Sequence, residues 1–222
     1  MIYIAPSLLS ADMARLAEAI VMVSAAADYI HCDIMDNHFV PNLTFGAPVV
    51  KAIKKDSLLP MDVHLMIESP GRWIKDFISA GLDECDFLTF HAEADPDPSQ
   101  TISAIRDAGI RPGLAVKPET GISDLFELFK YVDQVLIMTV EPGFGGQSFI
   151  HEMMSKVREI RRAFPSIVIG IDGGIDVETA PVAVSAGADL LVAGSAVYGQ
   201  NDPVVAIRAI RHAVGDYKRE NS

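Results

Sequence analysis

The chain alternates between short apolar runs and segments with helical periodicity, and this rhythm constrains its fold more than any other feature. Several of the runs are apolar without interruption, which is typical of parallel strands that are covered on both faces. We predict eight strands from these runs, at residues 2–5, 29–34, 61–65, 87–91, 111–116, 134–140, 167–171 and 189–193.

The segments between the strands carry helix signals at both ends. Gly81, Gly109 and Gly187 each follow a helical stretch, as C′ glycines do. Asp202 precedes Pro203, which is typical of an N-cap followed by proline in the first helical turn. The predicted helices include residues 13–25, 72–80, 101–108, 152–163 and 177–186.

Eight strands that alternate with helices in 222 residues predict one α/β domain over residues 1–222, a (β/α)8 TIM barrel. No G-x-G-x-x-G motif follows the first strand, which counts against an open dinucleotide-binding sheet. In a barrel of this kind, functional groups gather at the C-terminal ends of the strands and in the loops that follow them.

The charge and composition of the chain count against some classes of binding partner. The chain has 18 Lys and Arg against 30 Asp and Glu, a net charge of −12. Nucleic acids and anionic membranes need basic surfaces, so neither is an expected partner, and no apolar segment reaches the length of a membrane span. The two cysteines lack C-x-x-C spacing and the first residues lack a signal-peptide pattern. We therefore expect a cytoplasmic protein with reduced thiols, and a homo-oligomer.

Two histidines and two aspartates end three of the predicted strands. His31 and Asp33 share one face of the second strand, His64 ends the third, and Asp172 ends the seventh. Buried imidazoles and carboxylates are costly unless they are paired or bind a metal. Mixed nitrogen and oxygen ligands suit Zn²⁺, Fe²⁺, Mn²⁺ or Co²⁺ better than Mg²⁺. The four residues predict one divalent ion per chain.

Three glycine clusters follow the last three strands: Gly143, Gly145 and Gly146 with the intervening Phe144; Gly173 and Gly174; and Gly194 with Ser195. Glycine lets the backbone approach a ligand closely, and late barrel loops often bind phosphate. No Lys or Arg stands in these clusters. The pattern predicts a phosphate held by backbone amides.

Other polar and soft side chains at the strand ends are open to two interpretations. Met35, Met66 and Met138 would face the mouth, either as ordinary core residues or as a soft apolar lining of the site. His91 and Lys117 also end strands and are candidates for substrate contact. Four further residues are assigned to structure or surface: His38, Cys85, His151 and His212.

Six segments resemble the ribulose-phosphate 3-epimerase family, and the resemblance extends over essentially the whole chain. They are residues 5–9 (APSLL), 31–36 (HCDIMD), 38–42 (HFVPN), 138–147 (MTVEPGFGGQ), 172–175 (DGGI) and 194–196 (GSA). The resemblance implies that His31, Asp33, His64 and Asp172 are metal ligands. It further implies that Asp33 and Asp172 are the acid/base pair, and that Ser7 and His64 contact substrate. The three glycine clusters would be the phosphate loops.

By this resemblance, the chain would interconvert D-ribulose 5-phosphate and D-xylulose 5-phosphate through an enediolate, with a metal ion as Lewis acid. One alternative is an allulose-6-phosphate 3-epimerase. Another is a decarboxylase or aldolase of the orotidine-decarboxylase type, although residues 33–36 (DIMD) lack that family's lysine. A third is a non-catalytic sugar-phosphate-binding barrel. Asn37 stands where the resembled family usually has glycine, and asparagine tolerates the left-handed backbone that such a turn requires.

Overall fold

The computed structural model describes residues 1–220, so the last two residues of the predicted domain, 221–222, lie outside the described part. Its eight strands are β1 (Tyr3–Pro6), β2 (Ile30–Met35), β3 (Met61–Met66), β4 (Phe87–His91), β5 (Arg111–Val116), β6 (Gln134–Met138), β7 (Val168–Asp172) and β8 (Leu190–Ala193). Its helices are α1 (Leu16–Val23), α2 (Ala47–Asp56), α3 (Ile74–Ser79), α4 (Pro98–Asp107), α5 (Phe126–Phe129), α6 (Met154–Ala163), α7 (Thr179–Ala186), α8 (Ser195–Tyr198) and α9 (Pro203–Glu220).

The strands form one parallel sheet in the order β1-β8-β7-β6-β5-β4-β3-β2. The two ends of the sheet meet between β1 and β2, where Ser7 and His31 form a parallel bridge. The amides of Asp28 and Tyr29 also donate to the carbonyl of Ile4, at 3.0 and 3.4 Å. The predicted (β/α)8 TIM barrel is confirmed, with the C-terminal ends of all eight strands at one mouth.

Seven of the eight predicted strands lie within one residue of the observed ones at each end, and β6 is the exception. The predicted strand 134–140 ends at Met138 instead. Thr139 turns toward the end of β7, where its hydroxyl donates to the carbonyls of Asp172 and Gly173 at 3.0 and 2.6 Å. This side-chain bonding starts the loop two residues early.

Helix ends follow their capping chemistry. The predicted C′ glycines Gly81, Gly109 and Gly187 all have positive φ, as expected. The Asp202 carboxylate accepts from the amides of Val204 and Val205 at 2.9 and 3.1 Å, which confirms it as the N-cap of α9. Where helices 13–25, 72–80 and 152–163 were predicted, short 3-10 turns precede α1, α3 and α6 (Met13–Arg15, Pro70–Arg72 and His151–Met153).

Apolar residues fill two separate layers. Residues facing outward from the strands, such as Cys32, Ile34 and Leu65, pack against the helices in the larger core. A smaller core inside the barrel contains Phe87, Leu136 and Leu190. Both cysteines are free thiols. No helix in the described part of the chain is long and apolar enough to cross a membrane.

The interior of the barrel is packed closely at the pairing of β4 with β5. Gly113 lies opposite Thr89, and a Cβ atom at residue 113 would lie 2.1 Å from the Thr89 hydroxyl oxygen. We predict that Gly113→Ala lowers the free energy of unfolding by about 1–3 kcal/mol, as overpacking of a core does. Chemical denaturation measures this change.

Two companion variants make this prediction specific. Gly121 is exposed, and a Cβ atom there would meet nothing within 4 Å, so Gly121→Ala should leave stability unchanged. In the double variant Thr89→Ala/Gly113→Ala the clashing hydroxyl is absent, and part of the lost stability should return. A loss that is the same with and without Thr89 would contradict the proposed clash.

Candidate active site

Strand register brings the four predicted metal ligands together. Asp33 of β2 lies beside His64 of β3, and Asp172 ends β7, two strands beyond β1 in the ring. Because side chains alternate along a strand, His31 and Asp33 point into the barrel mouth while Cys32 points toward the helices. The shared direction expected for His31 and Asp33 is therefore observed.

One atom of each residue converges on a common point, and the four atoms all lie within 4.8 Å of one another. His31 Nε2 lies 3.2 Å from Asp33 Oδ1 and 3.8 Å from Asp172 Oδ2. His64 Nδ1 lies 3.4 Å from each of the same two oxygens. Both imidazoles are fully buried, and Asp33 is 3% exposed.

This donor set fits a transition-type divalent ion. Ligands about 2.1 Å from an ion in a tetrahedral arrangement lie about 3.4 Å from one another, which is the spacing of most of these atom pairs. His64 Nδ1 is fully buried and makes no hydrogen bond, so its lone pair is available. Two nitrogen and two carboxylate donors suit Zn²⁺, Fe²⁺, Mn²⁺ or Co²⁺.

The electrostatics of the cluster also favour a cation. Burial alone would lower the pKa of His31, but the carboxylates of Asp33 and Asp62 raise this pKa well above its usual value. Burial would likewise raise the pKa of Asp33, but the imidazoles of His31 and His64 hold it well below its usual range. The same carboxylates would attract a divalent cation, whose binding requires both imidazoles to be neutral at the nitrogen that faces it.

Asp62 supports His31 from behind. Its Oδ2 lies 2.8 Å from His31 Nδ1, and its Oδ1 accepts from Gln134 Nε2 at 3.0 Å. All three side chains are fully buried inside the barrel. Because a carboxylate favours a hydrogen on the nitrogen that faces it, His31 keeps the lone pair of Nε2 for the cluster. Our sequence reasoning missed Asp62 and Gln134, which lie on inward positions of β3 and β6.

Asp33 has a second partner across the barrel seam. The Ser7 hydroxyl donates to Asp33 Oδ2 at 2.6 Å, which leaves Oδ1 for the cluster. Ser7 is buried and lies next to His31 in the bridge that closes the ring. The closing point of the barrel therefore also fixes the orientation of Asp33.

A cavity of about 620 Å³ lies above the cluster. Asp33 and Asp172 are in its wall, whereas His31 and His64 lie beneath it. Predicted residues that line the cavity are Ser7, Met35, Met66, Met138, Gly143, Phe144, Gly145, Gly146, Gly173, Gly174, Gly194 and Ser195. His91 and Lys117 are not among the lining residues. His91 is instead buried behind His64.

The glycine clusters form one side of this cavity, and no Lys or Arg of the described residues lines it. A Cβ at Gly194 would lie 2.6 Å from Ser10 Oγ, and one at Gly145 would lie 3.6 Å from the same oxygen. Ser10 therefore lies between two of the loops, with a hydroxyl that adds a donor to their amides. Its position depends on the turn after β1, which the sequence pattern does not indicate.

The loop after β2 is held by Asp36. Its carboxylate accepts from the amides of His38 and Phe39 at 2.8 and 3.0 Å, and from the amide of Glu68 at 2.8 Å. Asn37 adopts φ 59°, so the residue that departs from the usual glycine makes the left-handed turn expected of it. Phe39 packs with Met35 and Met66 in a small apolar cluster beside the cavity.

Comparison with known proteins identifies the family. The model of the ribulose-phosphate 3 epimerase family matches residues 3–198. The ribulose-phosphate 3-epimerase of Mycobacterium leprae is 48% identical over 216 residues, covering 96% of this chain and 95% of the relative. The chain belongs to the ribulose-phosphate 3-epimerase family. It is accordingly an enzyme of the epimerase type.

Two further comparisons extend this result. The cytoplasmic isoform of ribulose-phosphate 3-epimerase from Oryza sativa is 46% identical over 216 residues, covering 95% of this chain and 93% of the relative. The solved structure of 3-hexulose-6-phosphate synthase from Salmonella typhimurium has a TM-score of 0.74 at 18% identity, covering 97% of this chain and 100% of that one. At that identity the likeness shows the shared barrel alone.

Proposed function

We propose that this epimerase interconverts D-ribulose 5-phosphate and D-xylulose 5-phosphate by moving a proton at C3 with two aspartates, through an enediolate. The observation that supports this most directly is the convergence of Asp33 and Asp172 on one point in the wall of a single cavity. Inversion of a carbon needs a proton acceptor on one face and a donor on the other. Two carboxylates that reach the cavity from β2 and β7 meet that requirement.

The neighbours of Asp33 set its role. The hydroxyl of Ser7 donates to its Oδ2, so its orientation is fixed before substrate arrives. The His31 and His64 imidazoles hold the pKa of Asp33 well below its usual range, so the carboxylate is ionised, which is the form a proton acceptor requires. Asp172 is more accessible, with 16% of its side chain exposed, and also lies in the cavity wall.

We further propose that His31, Asp33, His64 and Asp172 hold one divalent ion, Zn²⁺, Fe²⁺, Mn²⁺ or Co²⁺. Such an ion supplies Lewis acidity for the negative charge that develops beside C3. The residues orient it, because Asp62 and Ser7 leave the lone pairs of His31 Nε2 and Asp33 Oδ1 facing the common point. The phosphate end of the substrate would be held by the amides of the glycine loops and by Ser10.

The residues that line the cavity and the names of the relatives disfavour the alternative functions. A lysine-dependent decarboxylase or aldolase is disfavoured because no lysine of the described chain lines the cavity. The Mycobacterium leprae and Oryza sativa relatives are both named for ribulose phosphate, so a pentulose phosphate is proposed over a six-carbon one. A kcat/KM on D-ribulose 5-phosphate below that on D-allulose 6-phosphate would reverse this choice.

We propose a cytoplasmic location in line with the Oryza sativa isoform, and a homo-oligomer.

The metal proposal predicts that the purified chain carries about one divalent ion and that His64→Ala reduces its content. Elemental analysis after gel filtration measures both. The lost nitrogen donor leaves a gap that the buried cavity floor does not fill, so affinity should fall strongly. His38→Ala removes an exposed imidazole at the same end of the barrel and should change nothing. Full activity in metal-stripped protein would refute the proposal.

The phosphate proposal predicts that Gly145→Ala raises KM for the phosphorylated substrate about 10- to 100-fold, the equivalent of one lost charge-assisted hydrogen bond. Gly145 has an ordinary backbone conformation with room for a methyl group, so the change obstructs the cavity without straining the turn. Inhibition by inorganic phosphate should weaken in parallel, and Gly121→Ala is the control outside the cavity. Unchanged KM and unchanged phosphate inhibition would show that this loop does not hold the phosphate.

The two-base proposal is tested by hydrogen exchange in deuterated water. Asp172→Asn keeps the size of the side chain but cannot carry a proton, so epimerisation should fall at least about 10²–10⁴-fold. Exchange at C3 should persist from the epimer whose proton faces Asp33. In Asp33→Asn it should persist from the other epimer.

Metal content must first be equal in the two variants, because both residues are proposed ligands. Loss of exchange from both epimers in each variant, at full metal occupancy, would contradict separate roles for the two aspartates.

A further inference from the structure

Both ring nitrogens of His64 have close polar neighbours, and one of these neighbours has no place in the chemistry proposed above. Its Nδ1 faces Asp33 and Asp172 at 3.4 Å. Its Nε2 lies 2.9 Å from Nε2 of His91. His91 is fully buried and does not line the cavity, so it cannot touch substrate there.

The contact between the two imidazoles restricts their hydrogens. Two ring nitrogens 2.9 Å apart form a hydrogen bond when one carries a hydrogen and the other a lone pair. A neutral imidazole carries a hydrogen on one nitrogen only. If His91 accepts at Nε2, then His64 donates from Nε2 and its Nδ1 is left with a lone pair directed at the cluster.

Glu93 selects this arrangement. Its Oε2 lies 3.4 Å from His91 Nδ1, a buried nitrogen that makes no hydrogen bond of ordinary geometry, and the negative charge of the carboxylate favours a hydrogen on the nitrogen that faces it. Its Oε1 accepts from the amide of Lys117 at 2.9 Å, which fixes the carboxylate to the loop after β5. That loop is held in turn by Lys156, whose ammonium donates to the carbonyls of Lys117, Pro118 and Thr120 at 3.2, 2.6 and 2.6 Å.

The His91 ring is also restrained on two sides. The ring of Phe39 lies 4.8 Å from it, and the ring of His64 lies 4.9 Å from it, measured between centroids. Lys117 Nζ lies 4.0 Å from the centroid of the Phe39 ring. A ring packed in this way cannot turn to exchange its nitrogens without displacing the loop after β2.

The other histidine of the cluster provides a comparison within the same site. His31 offers Nε2, and a carboxylate, Asp62, faces its Nδ1 directly at 2.8 Å. His64 offers the opposite nitrogen, Nδ1, and a carboxylate reaches it only through an intervening imidazole. Each of the two histidines is therefore oriented by a carboxylate. Asp62 contacts His31 directly, whereas Glu93 acts on His64 through His91.

We propose that Glu93 and His91 are positioning residues that form a relay to His64, an electrostatic contact followed by a hydrogen bond, and fix it as an Nδ1 metal ligand. This inference rests on the proposed metal site. It assigns the chain a support for the metal that lies on β4 and the turn after it, outside the cavity.

Two-dimensional ¹⁵N NMR of the histidine rings tests the relay without any variant. In zinc-loaded protein, His91 should carry its hydrogen on Nδ1, and His64 should carry its hydrogen on Nε2. A hydrogen on Nε2 of His91, with Nδ1 bare, would overturn the relay.

Zinc affinity, measured by competition with a chromophoric chelator in the absence of substrate, provides the second readout. His91→Phe should lose about 10- to 100-fold in affinity, as removal of such an outer partner does. His91→Gln places an amide oxygen where it can accept from His64, so it should lose less than His91→Phe. His38→Phe, the same change at an exposed position, should keep the parental affinity.

The outcomes separate the two proposals. Parental zinc affinity in folded His91→Phe overturns the relay and leaves the metal site standing. Absence of zinc binding in the unaltered chain overturns the metal site and the relay with it. If His91→Phe does not fold, the ring tautomers in the unaltered protein decide the matter.

Discussion

The parallel register of β2 against β3 is the constraint on which the rest of the site depends. It places Asp33 beside His64 and His31 beside Asp62, so three of the proposed ligands and one supporting carboxylate occupy facing positions on two adjacent strands. A slip of one residue would turn every side chain of β2 to the opposite face and direct Cys32 and Ile34 into the mouth. The outward packing of these two residues against the helices opposes such a slip, so the larger core and the site stabilise the same register.

The site also depends on how its buried charged and polar groups are paired. Two carboxylates and two imidazoles share a small volume that water hardly reaches, and such groups are tolerated only where each has an opposite partner. In this structure the buried groups find their partners in series of contacting side chains rather than in isolated pairs. Gln134 and Asp62 stand behind His31, Ser7 behind Asp33, and His91 with Glu93 behind His64.

The parts of the structure that the sequence predicted are those set by local periodicity. Continuous apolar runs, C′ glycines and the Asp202 N-cap each follow from a few adjacent residues. The barrel rule then placed Asp172 correctly as the last residue of β7, whereas His31 and His64 lie within β2 and β3, four and two residues before the ends of those strands. The early end of β6 was not predictable in this way, because it results from Thr139 bonding to carbonyls of another strand.

The same distinction holds within the site. Asp62, Gln134 and Ser10 were missed because their roles arise from contacts across strands or loops, which periodicity does not encode. His91 was recognised as a strand-end histidine, but its partner could not be inferred without the pairing of β3 with β4. The strand-end pattern and the family resemblance both predict the proposed ligand set, and contacts across strands orient His31, Asp33 and His64.

The absence of cationic side chains from the described cavity wall has a consequence for how a phosphorylated sugar arrives. The chain carries a net charge of −12, so a phosphate dianion would approach against a repulsive long-range field and, at the proposed glycine loops, would be held only at contact, by oriented dipoles. Salt screens the long-range field but hardly affects short contacts with amides. Encounter with substrate should therefore become faster as ionic strength rises, which is the reverse of the behaviour of enzymes that attract anions with a basic funnel.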